Sequence, residues 1–147
     1  MTHDRREGHE VYYGDAADPK FLEICGLNSA AGVIITIHEQ HLIDDVVEHV
    51  RAMRSDIMIV SRARDAAHAR HLYKLGATDA VPETVEASLQ LSEAALFGLG
   101  VPAGPVIASI HEKRDEIRHD LQQAAREAGL EKSHAIQAKT TKLLRRS

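Results

Sequence analysis

Residues 32–37 read Gly-Val-Ile-Ile-Thr-Ile, a run of β-branched side chains that follows a glycine. Successive side chains of a strand point to opposite faces of the sheet, so a run of this kind is apolar on both faces. Both faces are apolar when helices cover a parallel sheet on each side. The run therefore predicts a central strand of a parallel sheet with helices on both sides.

Short β-rich runs alternate with helical patterns on either side of this strand, which is typical of an α/β fold. Strands are predicted at 10–14, 32–37, 57–60 and 79–81, and helices at 18–25, 39–54, 65–75 and 83–99. Asp18-Pro19 and Asp65 are typical helix starts, and Gly26 and Gly76 are typical helix ends. The helix at 39–54 carries an apolar stripe with a spacing of three and four residues.

A loop rich in glycine and proline, residues 98–105, is the one candidate internal boundary. It predicts two parts, a domain over residues 9–100 and a helical extension with a basic tail over residues 104–147. The extension carries a narrow apolar seam, suited to a partner helix or to packing back onto the domain. Five basic residues and one acid lie in 131–147. Between binding an acidic surface and a solvated, partly disordered terminus, the sequence favours the second.

Composition excludes several classes of protein. Hydrophobic residues make up 44% of the 147 residues and the net charge is −4, which predicts a folded core without bulk attraction to nucleic acid or anionic lipid. The longest apolar stretch, residues 30–37, is too short to cross a bilayer, so we expect no direct membrane insertion and any membrane connection to come through a partner or a missing segment. The single cysteine, Cys25, fits a reducing compartment and is expected to be a buried structural thiol.

Sequence patterns for catalysis are missing, because the chain shows no Ser-His-Asp order, no P-loop and no paired carboxylates. We therefore expect no enzyme activity. Two histidine pairs, His38 with His41 and His68 with His71, have a spacing that allows a shared metal. A tetrahedral site needs three or four ligands, so the sequence favours surface histidines and predicts no metal site.

Four motifs follow one another at predicted strand ends: Gly-Asp-Ala at 14–16, Thr-Ile-His at 36–38, Ser-Arg-Ala-Arg at 61–64 and Leu-Gly-Ala-Thr-Asp-Ala-Val-Pro-Glu at 75–83. In this order they resemble the RCK or TrkA-N domains that regulate potassium transport, and the motif at 61–64 is similar to the Kef-type potassium/proton antiporters. The resemblance implies a Rossmann-like fold and a regulatory role. It also implies NAD(H) or AMP as ligand, a membrane potassium transporter as partner, and a homodimer that forms through the helix at 83–99 and the helix after it.

One departure from the family pattern concerns the opening half of the fold. Family members begin with a strand and a GxGxxG loop that lets the backbone approach a pyrophosphate, and this sequence has neither. Residues 4–8 resemble the end of the helix that follows that loop. We therefore expect a truncated α/β domain: a partial Rossmann-like parallel sheet, the second half of a TrkA-N domain, with a C-terminal helical extension. We expect Met1 to be an unnatural start or a fragment boundary.

The missing strands bear on the strand at 10–14 and on ligand binding. In the complete Rossmann order the strand at 10–14 would lie beside one of the missing strands. It is expected either to close against the strand at 32–37 or to stay loosely held. Without the GxGxxG loop, we expect this chain alone to bind NAD(H) or AMP weakly or not at all.

The resemblance places ligand-facing residues at the strand ends: Gly14, Asp15, Ala16, Thr36, Ile37, His38, Arg62 and Arg64. Gly14 to Ala16 would meet the adenine, or Asp15 would cap a local turn. The backbone at Thr36, Ile37 and His38 would lie near phosphates. Arg62 and Arg64, after the strand at 57–60, would bind nucleotide or a small anionic effector such as a glutathione adduct, or would pair with Asp65 or Glu83.

Two other classes of protein share the strand pattern. A fragment of an NAD-dependent oxidoreductase would need a substrate domain, for which the residues after 100 leave little room. A receiver-like signalling domain would need several acids at an early strand end, and Asp15 has no such neighbours. The sequence therefore favours a nucleotide-sensing regulatory domain over both.

Overall fold

Three parallel strands and the helices that connect them form the centre of the fold. The computed structural model describes residues 2–6, 9–13 and 18–145. The elements in chain order are β1 (Thr2–Arg6), β2 (His9–Tyr13), α1 (Pro19–Ile24), a 3-10 turn (Leu27–Ser29), β3 (Gly32–Ile35), α2 (Gln40–Met53), β4 (Met58–Ala63), α3 (Ala66–Leu75), β5 (Asp79–Pro82), α4 (Glu83–Gly98) and α5 (Ala103–Leu144). The predicted α/β class is confirmed.

The sheet runs in the order β3-β4-β5, with Val33 opposite Ile59 and Ser61 opposite Ala80. One face packs under α2 and α3 around Ile59 and Ala63, which are fully buried. The other face is open, and Ile34 there is 72% exposed. The expectation that helices cover both faces is therefore wrong for the residues that the structure describes. Right-handed crossovers that step in one direction along a sheet place their helices on one face.

The N-terminal strands form a hairpin apart from this sheet. β1 pairs antiparallel with β2, so the expectation of a helix end at residues 4–8 is wrong for residues 4–6. β2 pairs with β1 and not with β3, which excludes the predicted closure against residues 32–37. Only residues 7 and 8 separate the two strands, so pairing between them costs little loop entropy. Tyr13 is the last described residue of β2, and residue 14, the predicted strand end, lies outside the described residues.

The helix boundaries follow the predicted capping residues. The Asp18 side chain accepts a hydrogen bond from the Lys20 amide, and Asp65 accepts one from the His68 amide. Gly76 ends α3 at φ 111°, a left-handed conformation that glycine adopts without strain. The apolar stripe of α2 is buried, as expected, and forms much of the core.

Helix α5 runs from Ala103 to Leu144. It begins at Ala103, inside the predicted loop, because a proline in the first helical turn, here Pro105, removes an amide that has no helical partner. Its seam packs back onto the domain, with Val106 beside Leu89 and with Leu121 in the main core. The expected partial disorder of the tail is wrong as far as Leu144, since helix α5 continues to that residue.

Two further expectations concern burial. Cys25 is exposed rather than buried, because it follows α1 at the C-cap and not on the face that carries Leu22. Desolvation by its surroundings nevertheless raises the pKa of the Cys25 thiol, so the reactive thiolate is disfavoured at neutral pH. His68 is buried, not a surface histidine.

Among the described residues, none of the helices combines the length and the apolar character that a membrane span requires.

Candidate functional site

The carboxyl ends of β3 and β4 and the start of α4 meet at one edge of the sheet. This edge, called the rim below, comprises residues 36–38, 62–65 and Glu83. Parallel strands bring their carboxyl ends to the same edge, which is where ligands bind in open α/β sheets. The rim is the part of the described structure where the predicted site residues of separate motifs come together.

Arg62 connects the elements of the rim. One guanidinium nitrogen, Nη1, lies 3.3 Å from the Thr36 carbonyl oxygen and 3.2 Å from His38 Nε2. A guanidinium only donates, so His38 Nε2 is the acceptor and the imidazole is neutral in this arrangement. Arg62 also forms an ion pair with Glu83, and its side chain is 34% exposed. The pairing that the sequence left open for Arg62 is therefore present, with Glu83 as the partner.

Arg62 lies within β4 rather than after it, because β4 extends to Ala63. Arg64 follows directly, with an exposed side chain and a backbone amide that donates to His68 Nδ1 at 3.0 Å. Asp65 pairs with neither arginine among the described residues and instead caps α3. The two arginines thus differ: Arg62 is held by three partners, and the Arg64 side chain points into solvent.

The remaining predicted site residues are in different positions. Thr36 and His38 are exposed and contact Arg62, whereas Ile37 is half-buried and packs against the main core. The residues Gly14, Asp15 and Ala16 lie outside the described residues. Of the eight predicted residues, the rim therefore brings together Thr36, His38 and Arg62, with Arg64 beside them.

An open apolar depression adjoins the rim on the uncovered face of the sheet. Its volume is about 300 Å³, and Ile34, Val60 and Val81 form its floor. Arg62 and Glu83 stand at its edge. The arrangement combines a flat apolar surface with a cation that carries forked donors, which suits a planar ring joined to an anionic group.

A metal centre has no support in the described part of the chain, where no cluster of three or more His, Cys, Asp or Glu residues could hold an ion. His68 and His71 both approach Asp44, at 2.7 Å and 3.6 Å, but His68 Nδ1 is already occupied by the Arg64 amide. His38 instead contacts Arg62.

The sequence pattern indicated Glu83 only as a partner for arginine and His68 only as one of a histidine pair, and it gave no sign of Asp44. Asp44 and His68 lie 24 residues apart and meet through the packing of α2 on α3. No local pattern signals that contact, so sequence reasoning could not have found it.

One protein family and two potassium efflux antiporters match the sequence of this chain. Residues 2–83 match the TrkA-N domain. The chain is 34% identical over 104 residues to "Putative K(+) efflux antiporter KefB" of Alkalimonas amylolytica, which covers 71% of this chain and 16% of that protein. It is 33% identical over 106 residues to "K(+) efflux antiporter 3, chloroplastic" of Arabidopsis thaliana, covering 72% and 14%.

Among solved structures, the chain resembles the Shewanella denitrificans Kef C-terminal domain in its AMP-bound form, with a TM-score of 0.67 and 28% identity over 78% of this chain and 72% of that one. The GsuK RCK domain matches with a TM-score of 0.50 and 28% identity over 64% and 23%. The chain spans less than a fifth of each curated relative. The TrkA-N match covers more than half of this chain, and the chain therefore belongs to the TrkA-N domain family.

Proposed function

We propose that this chain is a nucleotide-sensing part of the regulatory domain of a Kef-type potassium efflux system, with AMP or NAD(H) as its ligand. The ligand phosphate would bind Arg62 in place of Glu83, and the ligand would shift the balance between two states of an attached transporter. Such coupling requires a different affinity for the two states. The role is regulatory and not catalytic, and we place it on the cytoplasmic side of the membrane.

The observation that carries the proposal is the position of the Arg62 guanidinium. It lies at the carboxyl ends of parallel strands, contacts Thr36 and His38 of the neighbouring strand end, and stays partly exposed. Its pairing with Glu83 is an exchangeable one, since partly exposed ion pairs contribute little free energy. A phosphate can replace that carboxylate as a forked acceptor.

The similarity to an AMP-bound Kef domain supports the choice of ligand class. An NAD-dependent oxidoreductase would need a substrate domain, and the described residues after 100, which form the single helix α5, give no sign of one. A receiver-like domain would need several acids at one strand end, whereas the described rim holds two arginines, Asp65 and Glu83. Neither alternative is favoured by an observation.

A homodimer through α4 and the start of α5 is part of the proposal. Residues 87–110 contain a single charged residue, Glu93. Large apolar side chains are exposed there, including Leu91 at 72% and Leu99 at 80%. Exposed apolar surface with few charges is typical of subunit contacts. Light scattering should show a dimer that Leu91→Glu converts to a monomer, and a wild-type monomer at all concentrations would contradict this contact.

Titration of AMP into the ¹⁵N-labelled chain tests the ligand site. We expect weak binding in the millimolar range, with amide shift changes at residues 36–38 and 62–65. Arg62→Met should weaken the affinity about tenfold, because it removes a charge-assisted contact. Shift changes confined to other surfaces, or no change at any AMP concentration, would overturn the assignment of the rim as the ligand site.

A matched control comes from Arg126, an exposed arginine beside Lys74 and Thr78 at the opposite end of the sheet. Arg126→Met removes the same charge and should leave the AMP affinity unchanged. If both variants weaken binding equally, the effect is one of net charge and Arg62 has no specific role.

A further inference from the structure

A buried histidine holds the turn that carries Arg64. The His68 side chain is 1% exposed and lies between α2 and the β4–α3 turn. Its Nδ1 accepts from the Arg64 amide at 3.0 Å, and its Nε2 lies 2.7 Å from Asp44 Oδ1. Its own amide donates to Asp65 Oδ1 at 2.8 Å. One residue therefore connects both residues of the turn to α2.

The bonding pattern determines the protonation state of the imidazole. A backbone amide can only donate, so Nδ1 carries no proton. Asp44 accepts from Nε2, which must therefore carry the single proton. The imidazole is thus neutral, and the arrangement works in one tautomer alone. The two hydrogen bonds of the His68 ring thus connect the Arg64 amide to Asp44 of α2.

We infer that His68 is a positioning residue for the rim: its unprotonated Nδ1 fixes the Arg64 amide, and with it the direction in which the Arg64 side chain leaves β4 towards an anionic ligand. The inference rests on the proposed function only for the identity of that ligand. The Arg64 side chain is exposed and has no contact among the described residues to orient it, so the position of its backbone determines where the side chain can reach. The amide that His68 holds is that of Arg64. It directly follows Ala63, whose side chain is fully buried in the core.

Two substitutions of His68 test the two ring nitrogens separately. The carboxamide oxygen of Asn lies where Nδ1 lies in histidine, and the amide nitrogen of Gln lies near Nε2. His68→Asn therefore keeps the acceptor for Arg64 and loses the contact with Asp44, whereas His68→Gln does the reverse. Both remove a ring from the same buried site, which makes each a control for the other.

Hydrogen exchange of the Arg64 amide is the first measurement. We expect His68→Gln to reduce its protection about tenfold or more, and His68→Asn to change it no more than the Ile59 amide of the core. Equal protection in the two variants would overturn the inference. Long-range ¹H–¹⁵N spectra of the wild type, which need no variant to fold, should show protonated Nε2 and unprotonated Nδ1; a proton on Nδ1 would also overturn it.

AMP titration is the second measurement and separates the two proposals. If His68 positions the rim, His68→Gln weakens the AMP-induced shift at Arg64 more than His68→Asn does. If the Arg64 amide responds to the variants but AMP shifts no rim amide in the wild type, the proposed function fails while the role of His68 in the turn stands. If AMP binds at the rim equally in both variants, the positioning role fails alone.

Discussion

Two pairs of arginines lie at opposite ends of the same sheet and differ in how fully they are bonded. At the amino ends of the strands, Arg51 donates to the carbonyl oxygens of Gly76, Arg54, Ser55 and Ile57 at 2.7–3.2 Å. Arg54 donates to those of Leu27, Asn28 and Ala30. At the carboxyl ends, Arg62 has one carbonyl, one imidazole and one carboxylate as partners, and the Arg64 side chain is exposed.

The difference separates arginines that stabilise the fold from arginines available to a ligand. Carbonyls at the start of a strand or the end of a helix lack partners, and a guanidinium satisfies several of them at once. Every guanidinium nitrogen of Arg51 and of Arg54 is bonded within the fold. Arg62 lies near the end of β4 and Arg64 follows that strand, where no carbonyl cluster forms among the described residues, so their charge remains available. The same residue type therefore has opposite roles at the two ends.

Replacement of Arg51 should have the largest effect on stability. Arg51→Met leaves four carbonyl oxygens without their donor, and we expect it to lower the free energy of unfolding by about 3 kcal/mol. The matched change at the rim, Arg62→Met, removes a partly exposed ion pair and should cost about 0.5 kcal/mol. Urea unfolding followed by circular dichroism measures both.

The comparison would be broken if Arg62→Met proved as destabilising as Arg51→Met, because the rim arginine would then also be a structural one. Gly76 makes the Arg51 effect specific: a Cβ on Gly76 would lie 2.8 Å from Arg51 Cγ, so the two positions are fitted to each other. Arg51→Lys should recover little of the loss, since an ammonium cannot reach several carbonyls at once.

Each end of the sheet has features that the sequence predicted and contacts that it did not. Asp65 and Gly76 have local signatures, and the α2 stripe with Val46 and Val50 has a clear period, so these features follow from the sequence alone. The carbonyl contacts of Arg51 do not, because Gly76 lies 25 residues away and the contact depends on the packing of α2 beside α3. The pairing of His68 with Asp44 is missed for the same reason.

The sheet itself shows a second limit. The strand at 32–37 is apolar on both faces, which predicted helices on both faces of the sheet. Ile34, however, lies on a face that no helix covers in the described residues. Composition determines that a side chain is suited to burial, but strand order and crossover direction determine what lies above it. The family resemblance correctly predicted the fold class and the family, whereas the ligand contacts of the rim stay a prediction.

The smallest expected effect concerns Tyr73, which satisfies a polar group at the amino end of β5. Its hydroxyl donates to Asp79 Oδ1 at 2.8 Å. Partial burial, together with the hydrogen bond to the Asp79 carboxylate and its negative charge, raises the pKa of Tyr73 from 10.0 to about 12. A raised pKa means that folding favours the protonated phenol, so this contribution is complete below pH 10.0 and is lost as the pH rises through about 12.

Tyr73→Phe should therefore lower the free energy of unfolding by about 1 kcal/mol at neutral pH. The difference between the two proteins should shrink in strong alkali. Ultraviolet titration checks the cause, since the wild type should show one tyrosinate transition near pH 12 that the variant lacks. A Tyr73 transition at the ordinary phenol pKa would mean that the amino end of β5 is open to water, and the contrast between a closed amino end and an open rim would then hold only for the arginines.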